Sequence, residues 1–220
     1  MIAPGSTSAP ARRIIAVDGP AASGKTTLAR RLAGHFGLAF LDTGLLYRAV
    51  AHKLLKAGRS FEDVPAAVAA ARSIGQGDLV SPELRSEAVS QGASRVAVIP
   101  EVRRALLDFQ RSFGRDGPGA VLAGRDVGTV VRPDASHKIF VTASAEERAR
   151  RRCKELQALG VPTIYGRVLQ ELRERDARDQ GRVVAPLVQA SDACVIDTTD
   201  RDIDAAFAIA RAHVEGTGRG

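Results

Sequence analysis

The chain has 220 residues, 45% of them hydrophobic, which suits one domain with insertions rather than two independent domains. No run of about 18 apolar residues occurs, so we expect no membrane-spanning helix. The two cysteines, Cys153 and Cys194, form no close-spaced motif, which indicates a reduced, cytoplasmic protein without a disulfide or zinc site.

The formal net charge of +7 allows two interpretations. It could serve a nucleic-acid partner, but aromatic residues make up only 4% of the chain and offer few base-stacking platforms. The 27 arginines against 5 lysines also fit a phosphate-handling site, because the planar guanidinium binds phosphate oxygens in pairs, although codon bias would produce the same excess.

Short apolar runs alternate with helical patterns along the chain. Residues 1–12 are rich in Pro, Ser, Ala and Gly and are interpreted as a disordered leader. The alternation predicts an α/β fold with a five-stranded parallel sheet flanked by helices. The predicted strands are Arg13–Asp18, Ala39–Leu41, Ala120–Leu122, Lys138–Val141 and Ala193–Ile196, with helices at Lys25–Phe36 and Ile203–Val214.

Two long segments interrupt this alternation. Nearly eighty residues separate the second and third strands, which predicts an inserted helical subdomain at 44–117. Its predicted helices are Val64–Ala71, Leu84–Val98 and Glu101–Phe113, with Gly75–Pro82 as a loop or short hairpin. The second segment, within the charged helical stretch Glu146–Arg182, predicts an Arg-rich lid at 148–182. The remaining segments, 13–43, 118–147 and 183–215, form the core of a single domain at 13–215.

The segment Gly19–Thr26 matches the phosphate-binding pattern GxxxxGK[ST], with a predicted strand before it and a helix after it. Gly19 and Gly24 allow the backbone N–H groups to face a phosphate. In such a loop Lys25 reaches the β- and γ-phosphates and Thr26 ligates Mg²⁺. The ATP-binding residues are therefore predicted to be Gly19, Pro20, Ala21, Ala22, Ser23, Gly24, Lys25, Thr26 and Thr27. This pattern alone does not separate kinases from GTPases, motor ATPases or helicases.

Three further motifs follow the phosphate-binding loop. They are Asp42-Thr43-Gly44 with Tyr47 and Arg48, then Gly124–Thr129 (GRDVGT), then Glu174–Arg182 (ERDARDQGR). Thr43 is suited to cap the helix that bears Arg48. Together with the loop, in this order, these motifs resemble those of the bacterial cytidylate kinases, from about Ile14 to Val214.

The resemblance implies the P-loop NTPase fold and an ATP-dependent nucleoside-monophosphate kinase that acts on CMP or dCMP. It assigns Arg48, Arg125 and Arg182 to the CMP phosphate and, with Lys25, to catalysis. Arginines there would offset the repulsion between two anionic phosphates in a poorly hydrated site. It also implies Mg²⁺ with ATP and a monomer, and the four lid residues Arg148, Arg150, Arg151 and Arg152 would lie near ATP.

The resemblance places the cytosine base on Ser94, Arg103 and Asp126. Cytosine offers one amino donor and two acceptors, which match a carboxylate beside Arg and Ser donors. Arg175 and Asp179 would hold the sugar, with Thr43 nearby, and Tyr47 joins the acceptor set. The stretch Gly75–Pro82 is shorter than in the longer family members, whose acceptor domain carries a small three-stranded sheet, so Ser94 and Arg103 are assigned by alignment across that gap.

Transfer to CMP needs no general base, because the acceptor is already an ionised phosphate oxygen. For Mg²⁺, Asp18 and Asp126 are possible ligands through water, besides Thr26. The rival interpretations are another small-acceptor P-loop kinase, acting on UMP, AMP or shikimate, and a nucleotide-switched nucleic-acid binder. Because no nucleic-acid-binding module is recognisable, we expect small-molecule substrates and no nucleic-acid partner.

Overall fold

The computed structural model describes residues 12–216, so the predicted leader lies almost wholly outside the described residues. Five parallel strands form one sheet in the order β2-β3-β1-β4-β5, which confirms the predicted fold class. The strands are β1 (Arg13–Asp18), β2 (Ala39–Asp42), β3 (Gly119–Gly124), β4 (His137–Thr142) and β5 (Cys194–Asp197). Asp18 lies beside Gly124, and Ala123 lies beside Asp42. The segments that follow β1, β2 and β3 therefore emerge together at one edge of the sheet.

Eight α-helices accompany the sheet in the described part of the chain. They are α1 (Lys25–Phe36), α2 (Thr43–Lys56), α3 (Val64–Arg72), α4 (Glu87–Val96), α5 (Pro100–Ser112), α6 (Ala145–Ala158), α7 (Tyr165–Gln180) and α8 (Ile203–Gly216). Between residues 12 and 216, none of the helices has both the length and the apolar character needed to cross a membrane.

Both faces of the sheet are covered, as the alternating side chains of β1 show. Ile15 and Val17 point to a core shared with α1 and α8. Ile14 and Ala16 point to a second core, on the other face, that includes Val127 and Val131. The sheet is thus buried on both sides, and its carboxyl-terminal edge is left to carry polar residues.

The inserted segment has a hydrophobic core of its own, built by α2, α3, α4 and α5. The helix predicted at Leu84–Val98 is shorter in the structure, where it spans Glu87–Val96. Its predicted start is wrong because Ser86 adopts an extended conformation and its hydroxyl accepts a hydrogen bond from Val89 N (3.4 Å). A 3₁₀ turn (Pro82–Arg85) precedes this cap. Another 3₁₀ turn (Gln76–Leu79) occupies the predicted loop or hairpin.

The charged stretch that follows β4 consists of two helices, α6 and α7, rather than one continuous helical segment. They pack through Cys153 and Leu156 on α6 and through Val168 and Leu172 on α7. Ala21 of the phosphate-binding loop joins this small core. The boundaries assigned to the insert and the lid stay predictions.

Asp18, the last residue of β1, connects that strand to the segment after β3. Its Oδ1 accepts a hydrogen bond from Val127 N (2.8 Å), and its Oδ2 accepts one from Gly128 N (2.7 Å). Val127 opens a single π-type turn, closed by Val131 N donating to Asp126 O (3.1 Å). Because Arg125 and Asp126 directly precede this turn, the buried Asp18 carboxylate determines where they stand relative to the phosphate-binding loop.

We predict that Leu54→Ala lowers the free energy of unfolding by about 2–5 kcal/mol, since Leu54 is 2% exposed in the core of the insert. Leu55, its neighbour on α2, is 41% exposed, and Leu55→Ala is the control, with an expected change within about 0.5 kcal/mol. Urea unfolding followed by circular dichroism measures both. Equal effects of the two substitutions would contradict the assignment of a separate insert core.

A second prediction concerns Asp18. Burial raises the pKa of its carboxyl from 3.8 to about 6, against the opposing effect of the two N–H bonds. The folded state therefore holds this proton more tightly than the unfolded chain, and the resulting stability is present below pH 3.8 and is lost as the pH rises through about 6. Asp18→Asn lacks this titration. The stability of the parent protein relative to Asp18→Asn should be greater at about pH 5 than at about pH 7.5 by roughly 1 kcal/mol.

The measurement is urea unfolding of both proteins at the two pH values. A difference between them that does not change with pH would show that Asp18 does not titrate in this range.

Candidate functional site

The phosphate-binding loop connects β1 to α1 and has the backbone that its sequence predicts. Gly19 has φ 152°, and a Cβ there would lie 2.0 Å from Val141 O, so no other residue fits. Gly24 (φ 86°) directly precedes α1, and no side chain at this position accepts a hydrogen bond from the N–H groups of the helix. The N–H groups of the first turn of α1 are thus left for a ligand. Ala22, with φ 60°, is a non-glycine residue held in the left-handed region.

Two polar groups in this loop are arranged to receive an anion. Lys25 is buried, and its Nζ donates to Pro20 O (2.9 Å). Burial, followed by the positive charge of Arg125, lowers the pKa of Lys25 well below its usual range. The Ser23 hydroxyl is buried and has no hydrogen-bond partner among residues 12–216. A phosphate would relieve both conditions, since it accepts hydrogen bonds and carries negative charge.

The end of β2 supplies a carboxylate that the sequence analysis did not assign. Asp42 Oδ2 accepts a hydrogen bond from Thr26 Oγ1 (3.1 Å), and Asp42 Oδ1 accepts one from Gly44 N (3.0 Å). Asp42 rather than Thr43 therefore caps α2, which corrects the predicted cap. Thr43 is instead the first residue of α2, and its hydroxyl donates to Ala123 O (2.9 Å). A carboxylate beside a threonine hydroxyl is a set of hard oxygen donors that fits Mg²⁺.

Asp18 and Asp126, the other carboxylates considered for Mg²⁺, are engaged elsewhere. Both oxygens of Asp18 accept backbone N–H bonds. Asp126 is ion-paired with Arg103. Thr26 and Asp42 are therefore the oxygen donors that the structure brings together at the loop, and the signal in the sequence was the position of Asp42 at a strand end.

On the acceptor side, four arginines are held by two groups, the fully buried carboxylate of Asp179 and the hydroxyl of Ser90. Asp179 Oδ2 accepts from Arg125 Nε (2.7 Å), and Asp179 Oδ1 accepts from Arg182. The helical spacing of Arg175, Asp179 and Arg182 predicts that all three share one helix face. That prediction is wrong for Arg182, because α7 ends at Gln180 and Arg182 reaches Asp179 from the following loop. The other two arginines, Arg48 and Arg175, meet at Ser90 Oγ, to which they donate at 3.2 and 3.0 Å.

These arginines carry more positive charge than Asp179 can offset. Burial, and next the nearby Arg125, lower the pKa of Arg175 to about 9. Burial also lowers the pKa values of Arg48 and Arg182. The Nε atoms of Arg175 and Arg182 are buried and lack a hydrogen-bond partner within the described residues. The arrangement is that of an anion site with donors left for a ligand.

Arg103 and Asp126, predicted for the base, form a buried ion pair. Arg103 Nη1 also donates to Ala97 O (3.3 Å), and its guanidinium carbon lies 5.6 Å from the centre of the Tyr47 ring. Burial raises the pKa of Asp126, against the opposing effect of the positive charges of Arg103, Arg182 and Arg125. Burial also raises the pKa of the Tyr47 phenol.

Ser94, the third predicted base residue, accepts a hydrogen bond from Arg178 Nη1 (2.8 Å). Sequence reasoning missed Arg178 and Ser90. Their spacing was the available signal, since Ser90 lies four residues before Ser94 on α4 and Arg178 lies three after Arg175 on α7. The predicted acceptor residues thus gather where α2, α4 and α7 approach the edge of the sheet.

The arginines of α6 separate into different environments. Arg148 is buried, with one hydrogen bond to Ala21 O (3.3 Å) in the loop. Arg151 donates to Thr198 Oγ1 (2.9 Å), and a Cβ on Gly24 would lie 3.8 Å from its Nη1. Arg152 pairs with Glu87 of the insert (2.8 Å). Arg150 is 60% exposed and pairs with Glu147 of its own helix, and Thr27 of the loop is also exposed.

Comparison with known proteins shows the family of the chain. A sequence model of the family described as "Cytidylate kinase" matches residues 15–214. The cytidylate kinase of Paramagnetospirillum magneticum is 59% identical over 200 residues, covering 90% of this chain and 95% of that protein. That of Methylocella silvestris is 58% identical, covering 92% and 94%. A solved structure of an uncharacterized protein from Eubacterium ventriosum has the same fold, with a TM-score of 0.56 at 17% identity, covering 93% of this chain and 99% of that one. The chain therefore belongs to the cytidylate kinase family.

Proposed function

We propose that this protein transfers the γ-phosphoryl group of ATP to CMP or dCMP, giving CDP or dCDP and ADP. The observation that carries the proposal is that Lys25 of the phosphate-binding loop lies near the arginines of the acceptor side. Asp18 of β1 lies beside Gly124 of β3, so the phosphate-binding loop with Lys25 and the segment with Arg125 leave the sheet side by side. In keeping with this, burial and then the charges of Arg125 and Arg175 lower the pKa of Lys25. A donor phosphate at Lys25 and an acceptor phosphate at the arginines would therefore be neighbours.

The donor side is formed by Gly19–Thr27. Its backbone N–H groups and Lys25 would bind the phosphates of ATP and stabilise the charge that moves to ADP. Thr26, with Asp42 beside it, would hold Mg²⁺ at this position. When bound, the ion would offset charge on the β- and γ-phosphate oxygens.

On the acceptor side, Arg48, Arg125 and Arg182 would bind the phosphate of CMP, and Lys25 would complete the catalytic set. The acceptor oxygen is already ionised, so these residues need to position it and offset its charge rather than remove a proton. Arg175 and Asp179 would bind the sugar, near the buried Thr43.

The cytosine base would be read by Asp126, Arg103 and Ser94, with Tyr47 beside Arg103. A carboxyl oxygen of Asp126 would accept a hydrogen bond from the cytosine amino group. Uracil has a carbonyl oxygen at that position, which cannot donate such a bond. We further propose that the enzyme is a monomer, as the resemblance implied, and that it is cytoplasmic, as its two free cysteines indicate.

The direct test compares ADP release from ATP and Mg²⁺ with CMP, dCMP, UMP, AMP and GMP as acceptors. We expect CMP and dCMP to be preferred. Preference for another acceptor would retain a P-loop kinase and overturn the base pocket, and no activity with any acceptor would contradict the proposed function.

We predict that Asp126→Asn lowers the ratio of kcat/KM for CMP to that for UMP by roughly tenfold to a hundredfold, or about 1–3 kcal/mol, because the amide no longer favours an amino donor over a carbonyl. The ratio does not depend on how much of the variant is folded. Asp134→Asn is the control, since Asp134 is a 67% exposed partner of Arg132. An unchanged ratio in Asp126→Asn would remove Asp126 from base recognition.

A further inference from the structure

Arg148 and Asp176 form a buried ion pair that the proposed mechanism does not use. Arg148 lies on α6 and Asp176 on α7, and the two side chains are 6% and 16% exposed. Arg148 Nη1 donates to Asp176 Oδ1 (3.1 Å), and Nη2 donates to Asp176 Oδ2 (2.6 Å). Two parallel hydrogen bonds fix the relative orientation of the Arg148 guanidinium and the Asp176 carboxylate as well as their separation, because both groups are planar.

The same guanidinium also holds the phosphate-binding loop. Arg148 Nη1 donates to Ala21 O (3.3 Å), and Arg148 Nε donates to Ala143 O (3.0 Å) at the end of β4. Since a trans peptide is planar, holding Ala21 O towards α6 turns the N–H of Ala22 to the opposite side of the loop. Ala22 is the residue held at φ 60°. Arg148 therefore determines the orientation of a peptide group within the donor site.

Asp176 connects this peptide to the acceptor site. It lies between Arg175, which donates to Ser90, and Asp179, which accepts from Arg125. A rotation of α7 about its axis would move both of these side chains. Anchoring Asp176 to Arg148 prevents that rotation and fixes the acceptor residues relative to Ala21.

Packing alone would hold these segments together without the ion pair. Ala21 already shares a small apolar core with Ala149, Cys153, Leu156, Val168 and Leu172. Apolar contacts are not directional, and a buried ion pair is weak evidence for stability. The distinct contribution of Arg148 and Asp176 is the relative orientation of the loop and α7.

We propose that Arg148 and Asp176 are positioning residues that align the donor phosphate with the acceptor phosphate by fixing α7 relative to the phosphate-binding loop. The inference rests on the proposed function. Misalignment would leave the γ-phosphoryl group open to water, which would convert ATP to ADP and inorganic phosphate without forming CDP.

The experiment measures ADP and CDP formed from ATP and CMP by Asp176→Asn, Arg148→Lys and the double variant. Asp176→Asn keeps the shape of the side chain but removes its charge. Arg148→Lys keeps the charge but lacks the planar guanidinium, whose paired N–H donors contact both oxygens of Asp176. The ratio of ADP to CDP is the central readout, because unfolded protein contributes to neither product. The folded fraction is followed by circular dichroism.

The matched control is the ion pair of Arg167 and Glu171, also on α7, whose side chains are 79% and 30% exposed. Arg167→Lys, Glu171→Gln and their combination should keep kcat within twofold and one ADP per CDP. We expect each positioning variant to lower kcat at least tenfold, change KM for CMP less than threefold, and form at least two ADP per CDP. The double variant should be no worse than the poorer single variant, since both break one link.

If the variants keep one ADP per CDP, and their loss of rate matches the loss of folded protein, the pair is only structural and the inference is overturned. Losses that multiply in the double variant would also overturn it. If the parent protein itself forms no CDP, the proposed function fails, and that result is distinct from either outcome for the variants.

Discussion

The site depends on holding the positive charges of Lys25 and several arginines close together in a buried environment. Burial and the charge of Arg125 lower the pKa values of Lys25 and Arg175, and one buried carboxylate, Asp179, accepts a hydrogen bond from Arg125. Such an assembly is unfavourable in the empty protein and becomes favourable when anionic phosphates enter. The framework must therefore keep these cations in place against their mutual repulsion.

Several contacts supply that resistance, and each joins a different pair of segments. Asp18 fixes the turn after Arg125 and Asp126 to the end of β1. Arg148 joins the phosphate-binding loop to α7 through Asp176. Ser90 receives Arg48 and Arg175 from two different helices. The parallel sheet makes this possible, because β3 lies between β1 and β2 and brings three strand ends to one edge.

Features set by local sequence were the predictable ones. All five strands were found because buried parallel strands are short apolar runs, and Gly19–Thr26 was found because its pattern and context agree. The cap at Ser86 was missed because the apolar periodicity of 84–98 continues through it. The bonds by which Asp18 and Arg148 hold other segments of the chain were not predicted. Their partners, Val127 and Asp176, are distant in sequence, and only the tertiary structure brings them together.

The separate core of the insert has an evolutionary consequence. Ser90 and Ser94 are held by α4, which packs against α2 within that core. The turn at Pro82–Arg85 belongs to the same core, since Leu84 is 1% exposed and its carbonyl oxygen accepts a hydrogen bond from Arg48 Nη1 (2.7 Å), whereas Val80, between the two turns, is 81% exposed. Residues can therefore be gained or lost beside Val80 at less cost to α4 than at Leu84. A change of length between Leu79 and Ser81 would thus leave Ser90 and Ser94 where α4 holds them.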